Sequence, residues 1–209
     1  MPSTQSYLIA AKGIFVGSDF FNLEQAFPGL DLRSDPMVKA GLCAQIIALQ
    51  KSNFKPDEKT ATIGLTTKGC LSHLQKVVEA AAKNRSRTGF FVRSGPQTLA
   101  SYSAMAHHSH GPTFSLMAEN MLLANLFALV DTLLYQKWAA TIHLTFSDYD
   151  QKTGFKAGSL FLQRAIKNQG WSLPTVLKLA TIEEKFLHFI DLIGEESHDD
   201  DALVSSGRK

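Results

Sequence analysis

Apolar positions along this chain switch repeatedly between strand-like runs and helical spacing, so the elements alternate in type. Tyr7–Val16 is predicted as a strand that stops at Gly17-Ser18-Asp19, and Phe20–Pro36 is a loop marked by proline and aspartate turn signals. Met37–Gln50 places Val38, Leu42, Cys43, Ile46, Ile47 and Leu49 at helical spacing, with Asp35 as its cap and Pro36 in its first turn. After the polar connection Asn53–Lys59, the β-branched run Thr60–Thr66 predicts a buried strand. A second helix is expected over Lys68–Lys83 and a third over Gln97–His108, separated by the loop Gly89–Gly95. Strand Thr113–Met117, helix Glu119–Lys137 and strands Ala139–Phe146 and Gly158–Gln163 complete a βαβαβαββ series. That order predicts an α/β domain built on a five-stranded mixed sheet, mostly parallel, with helices on both faces. Trp171–Ile193 adds a C-terminal helical extension to a domain spanning 1–193, and 194–209 is predicted to be a solvated, disordered tail.

The stretch 113–147 is apolar enough to test for a membrane span. Glu119, Asn120, Asn125, Asp131 and Lys137 interrupt it too often for any window of about eighteen residues to be free of strong polar groups, so a buried helix in a globular core is the expectation. Composition agrees, with 44% hydrophobic and 19% charged residues and a formal net charge of +2. Neither that balance nor any basic stripe interleaved with aromatics points to nucleic acid. Cys43 and Cys70 lack metal-type spacing, and the N-terminus lacks the basic and apolar regions of a signal peptide, so a reducing cytoplasm is expected. His107, His108 and His110 cluster in sequence without a nearby fourth ligand and enter no metal site. No cofactor is implied.

Gly111-Pro112-Thr113 leads into a five-residue apolar strand and directly into the long apolar helix, so the residue at the junction is expected to face the positive end of the helix dipole, where a thiolate would be stabilised. This segment resembles the nucleophile turn of β-ketoacyl synthases of the thiolase superfamily. Along that pattern Asn120 stands where the reactive cysteine belongs. Glu119-Asn120 is similar to the Glu-Gln pair of chain-length-factor subunits, the non-condensing partners of type II polyketide ketosynthases. A second stretch, Gly89–Gly95 with Phe90 and Phe91, resembles the Phe-Phe-Val-Pro-Ser segment that precedes the nucleophile turn in condensing enzymes and approaches the acyl tunnel of the partner subunit.

The resemblance covers roughly residues 7–165 and implies one half of a thiolase fold; a complete synthase needs two such halves, for which 209 residues leave no room. Claisen condensation needs a nucleophile to carry the acyl chain and donors to stabilise the enolate. An amide cannot carry an acyl chain, and the second-half histidine motifs are missing. The resemblance therefore implies a catalytically silent, chain-length-factor-like subunit of an aryl polyene or type II polyketide system. Its partner would be a full-length ketosynthase, with acyl carrier protein contacting the pair transiently. The uncharged strand Thr113, Phe114, Ser115, Leu116 and Met117 would pair across the subunit interface, since an open edge of that kind invites another strand. Phe90 or Phe91 would help shape the acyl tunnel. A homodimeric structural or acyl-binding protein remains an alternative. A stand-alone thioesterase or acyltransferase using Ser115, Glu119 and a histidine from 107–110 is disfavoured, because Ser115 falls inside a strand and no nucleophile-elbow motif is present.

Overall fold

The computed structural model describes residues 6–30, 33–85, 89, 93–118, 120–150, 154–165 and 181–192. Along the chain they form β1 (Tyr7–Gly17), α1 (Leu23–Ala26), α2 (Pro36–Gln50), β2 (Ala61–Thr66), α3 (Leu71–Ala81), α4 (Gln97–Ala106), β3 (Thr113–Met117), α5 (Leu123–Tyr135), β4 (Thr141–Asp150), β5 (Gly154–Arg164) and α6 (Ile182–Leu192). The strands make one five-stranded sheet in the order β1-β5-β4-β2-β3. β2 pairs in parallel with both β3 and β4, whereas β5 pairs antiparallel with β4 and β1. The sheet is therefore mixed, as expected, but not mostly parallel. The hairpin joining β4 to β5 reverses the chain, and β1 pairs antiparallel with the reversed strand.

The strands alternate in a way that divides the core. Ile63 and Leu65, Ile142, Leu144 and Phe146, and Leu160 and Leu162 meet the buried face of α5, carrying Leu123, Leu126, Phe127, Val130 and Leu133, together with Ile182, Phe186 and Phe189 of α6. Burying each of these large side chains contributes roughly 1.5–3 kcal/mol. The other face carries many small and polar residues, with Phe15 and Phe161 as large buried side chains against α2, because α2 and α4 lie almost on the sheet. A Cβ on Gly64 would come within 2.8 Å of the Ala100 backbone in α4, and one on Gly13 within 2.4 Å of Ala44 O and Ala48 N in α2. Ser147 Oγ, on β4, donates to the Met37 carbonyl of α2 at 2.7 Å.

Asp35 caps α2 as the sequence predicts: its side chain accepts from Met37 N at 3.0 Å, and Pro36 occupies the first helical position, where a missing N–H costs nothing. The helix expected from Glu119 starts later, at Leu123. Its N-cap, Leu122, is extended and forms an antiparallel bridge with Thr181, while Ile182 N donates to Met121 O at 2.8 Å. Residues just before α5 are thereby held as an extended stretch by the lead-in to α6. The predicted C-terminal helix is present from Ile182 to Leu192; its expected first part, its expected last residue Ile193 and the tail 194–209 lie outside the described residues.

Candidate pairing edge and nucleophile-position turn

Among the described residues β3 is an edge strand, bonded to β2 on one side only. The ladder starts where Thr62 N donates to Pro112 O at 2.9 Å and ends where Ala118 N donates to Thr66 O at 2.8 Å. In a parallel ladder the inward-facing residues alternate, so Phe114 and Leu116 share the inward set with Pro112 and Ala118. The backbone N–H and C=O of Thr113, Ser115 and Met117 therefore point outward along the open edge. The entry to the strand is rigid. A Cβ on Gly111 would lie 2.4 Å from Thr60 O, Ser109 Oγ bonds the Thr60 carbonyl, and His110 N donates to Glu58 O at 2.7 Å. Phe114 and Leu116 pack into the apolar core, while Thr113 and Met117 are exposed. Ser115 Oγ is buried, with no hydrogen-bond partner among the described residues.

Beyond β3 the chain turns through Ala118–Met121, with Met121 N donating to Ala118 O at 3.1 Å. Asn120 sits in this turn with φ +57°, a left-handed conformation that asparagine tolerates better than most residues. It is exposed. Since α5 begins only at Leu123, Asn120 lies ahead of the helix rather than in its first turn, which corrects the expectation of direct contact with the dipole end. Glu119, Phe90 and Phe91 lie outside the described residues, so the structure places Asn120 and all of Thr113–Met117 on one strand-turn unit without adding the other three.

The remaining nucleophile and base candidates do not converge. Burial raises the Cys43 thiol, and burial followed by the Asp35 charge pushes Cys70 up to about 12, so both cysteines stay protonated. The three sequence-adjacent histidines separate: His107 is buried under the sheet, whereas His108 and His110 are exposed. His107 meets His143 of β4 at a centroid distance of 5.2 Å. No group of three or more potential metal ligands forms among the described residues. A thioesterase triad using Ser115 finds no support either, because its buried hydroxyl has no histidine partner among the described residues. No helix among the described residues is long and apolar enough to cross a membrane.

Two features were not visible in the sequence. Asp35, besides capping α2, accepts from His73 N at 2.8 Å and so ties the start of α3 to α2. At the same end of the sheet Thr67 Oγ1 donates to Asp148 Oδ2 at 2.6 Å. The cap signature flagged Asp35, but its second bond spans 38 residues and no local pattern encodes it.

No family model matches the chain, and no curated protein matches its sequence. Solved structures do match. A chain of the ketosynthase ApeO in complex with its chain length factor ApeC from Xenorhabdus doucetiae is 13% identical with a TM-score of 0.62, over 91% of this chain and 92% of that one. The ishigamide ketosynthase/chain length factor is 11% identical with a TM-score of 0.61, over 80% of this chain and 64% of that one. The complex AntDE:AntF, a type II acyl carrier protein with its ketosynthase, is 11% identical with a TM-score of 0.60, over 77% and 62%. The chain thus spans less than two thirds of the ishigamide and AntDE:AntF chains but nearly all of the ApeO–ApeC one. It has the fold of one thiolase-like half, shared with the chains of ketosynthase and chain length factor complexes.

Proposed function

We propose that this protein is a non-catalytic, chain-length-factor-like subunit that pairs with a full-length β-ketoacyl-carrier-protein synthase, supports its fold and shapes its acyl tunnel during aryl polyene synthesis. The observation that carries this is the strand-turn unit itself: an edge strand with outward backbone groups at Thr113, Ser115 and Met117, ending in a turn with Asn120 where a condensing enzyme needs a thiol. The near-complete overlap with a chain of the ApeO–ApeC complex adds support, since that complex joins a ketosynthase to a chain length factor. Phe90 and Phe91 are proposed to reach the partner's tunnel, and acyl carrier protein to visit the pair transiently.

Co-expression with a ketosynthase of the ApeO type, followed by size-exclusion chromatography, tests the pairing. A stable one-to-one complex is expected, with product chain lengths shifted by Phe90→Ala or Phe91→Ala. A chain that elutes alone, or as its own dimer, in the presence of that ketosynthase would sink the heterodimer.

A further inference from the structure

The apolar stripe of α3 faces away from the core. At about 100° per residue, His73 and Ala80 share the side turned inward and are buried, whereas Leu74 and Val78, one turn apart, lie roughly 130° further round. They are 44% and 61% exposed, and exposed Ala81 and Ala82 extend the stripe. A surface helix ordinarily buries its apolar stripe and exposes its polar side. The orientation of α3 is fixed from the core side, because the buried Asp35 carboxylate accepts from His73 N at 2.8 Å. Gln75, Lys76 and Glu79 beside the stripe are exposed too, so it stands as a ridge rather than as the wall of a groove.

Positive charge gathers around the same ridge. Residues 68–93 hold the cations Lys68, Lys76, Lys83, Arg85, Arg87 and Arg93 against one acid, Glu79, in a chain whose whole formal charge is +2. Lys76 and Arg93 have partners of their own, yet Lys68, Lys83 and Arg85, all exposed, still outnumber Glu79. Lys68 precedes the helix. At the other end Asn84, with φ +49°, closes it, and Arg85 N donates back to Ala80 O at 2.8 Å, which keeps Arg85 against the last turn. The ridge therefore has cations at both ends.

We propose that α3 docks the chain on an anionic lipid surface, with Leu74 and Val78 entering the headgroup layer and Lys68, Lys83 and Arg85 meeting lipid phosphates. A ridge can press into a flat, fluid surface, whereas a partner helix needs a groove to lie in. The inference is independent of the subunit pairing above, because none of these residues belongs to β3 or the Asn120 turn.

Flotation of the full chain with vesicles made of equal parts phosphatidylcholine and phosphatidylglycerol tests it. Binding is expected to be at least tenfold tighter than to phosphatidylcholine alone. Lys83→Gln combined with Arg85→Gln should weaken it at least tenfold, and Leu74→Ser combined with Val78→Ser at least fivefold. All four side chains are exposed, so the fold should survive, and circular dichroism checks that it does. Lys51→Gln combined with Lys59→Gln removes the same charge from the exposed approach to β2 and should leave binding unchanged. Insertion has its own readout: Cys43 and Cys70 are buried, so Val78→Cys can be labelled selectively with an environment-sensitive dye, whose emission should shift to the blue on the anionic vesicles. Equal binding to both vesicle types, wild-type binding by the folded Leu74, Val78 double variant, or an equal loss in the Lys51, Lys59 control would overturn the proposal. Capture of a soluble helical peptide rich in Glu and Leu, with no flotation, would also overturn it and assign the ridge to a protein partner.

Discussion

The rings of His107 and His143 meet edge to face inside the molecule, their centroids 5.2 Å apart and their planes at 70°. His143 lies flat on Phe161, with centroids 4.1 Å apart, and its Nε2 shares a 2.8 Å hydrogen bond with Ser159 Oγ. This pair sits within a polar layer between the sheet and α2 and α4, where Thr62, Thr145, Ser103 and Gln45 also bury oxygen atoms that lack a partner among the described residues. Burial drives both imidazoles towards the neutral form. It takes His107 down to about 4, and it takes His143 well below the ordinary histidine value with the neighbouring His107 charge as a smaller cause.

This layer should make the protein sensitive to mild acid. An unfolded histidine titrates near 6.5, so below that pH the unfolded chain takes up protons that folded His107 and His143 refuse. Their penalty is absent above about pH 6.5 and grows as pH falls towards 4. His107 alone should cost about 2 kcal/mol between pH 7 and pH 5, or roughly 4–8 °C in melting temperature. Thermal unfolding at the two pH values measures it, and the double variant His107→Leu, His143→Leu should flatten the slope. An unchanged wild-type melting point would contradict a neutral buried pair.

Thr145→Val tests the same layer by a different route. The Thr145 hydroxyl is buried without a partner among the described residues, and valine keeps the shape while removing the polar atom. Denaturant unfolding should show a neutral change or a gain of about 1 kcal/mol. A loss of more than 1 kcal/mol would mean that the hydroxyl is bonded.

Asp35 should be among the costlier polar residues to truncate. Its carboxylate is fully buried and accepts from both Met37 N and His73 N, so Asp35→Ala removes a helix cap and leaves a second buried N–H unpaired. The expected loss is about 2–4 kcal/mol, near 1 for the cap and the rest for the orphaned donor. Asp35→Asn should recover part of it. An alanine variant within 1 kcal/mol of wild type by urea unfolding would show that the α2–α3 tie carries no weight.

Ser115→Pro should separate subunit pairing from folding. The Ser115 N–H points to the open edge rather than to β2, so proline removes a donor that only a partner strand uses. The chain should keep its circular dichroism spectrum and lose the proposed complex with a ketosynthase on a sizing column. A charged residue is a poorer probe, because the Ser115 side chain is buried and lysine would disturb the fold. Retention of the complex by the proline variant would rule out pairing through β3.

Asn120→Cys should not create a condensing enzyme. The new thiol would stand in an exposed turn ahead of α5, outside the first helical turn where the dipole would stabilise a thiolate. The left-handed backbone should make Asn120→Gly nearly neutral and Asn120→Ala destabilising by about 1 kcal/mol. Intact-protein mass spectrometry after incubation with acyl and malonyl carrier proteins should show no condensed product. Turnover by the cysteine variant would refute a silent site.

The strand-turn unit was legible where local chemistry dictates structure. β3 spans Thr113–Met117 as its apolar run predicts, and the Asp35-Pro36 pair marks the start of α2. The start of α5 was misplaced because Glu119, Asn120, Met121 and Leu122 are compatible with a helix, and only the bridge of Leu122 to Thr181 holds the last of them extended. The run 107–110 suggested a cluster because sequence proximity cannot say which histidine the end of α4 turns inward.

Sequence by itself determined the five strands and the longer helices between them, the apolar face of α5 and the absence of a thiol at position 120, since periodicity, caps and residue identity are local properties; it missed the short α1, which lies inside the stretch Phe20–Pro36 expected as a loop. Tertiary structure decided which edge of β3 stays open, that His107 meets His143, that Asp35 ties α3 to α2, and that Lys39 of α2 shares a groove with Phe20 and Phe21. These depend on which strands lie side by side and which helix closes over them. Such pairings come from burying one face of each element against another far along the chain, and no local window of sequence contains both partners.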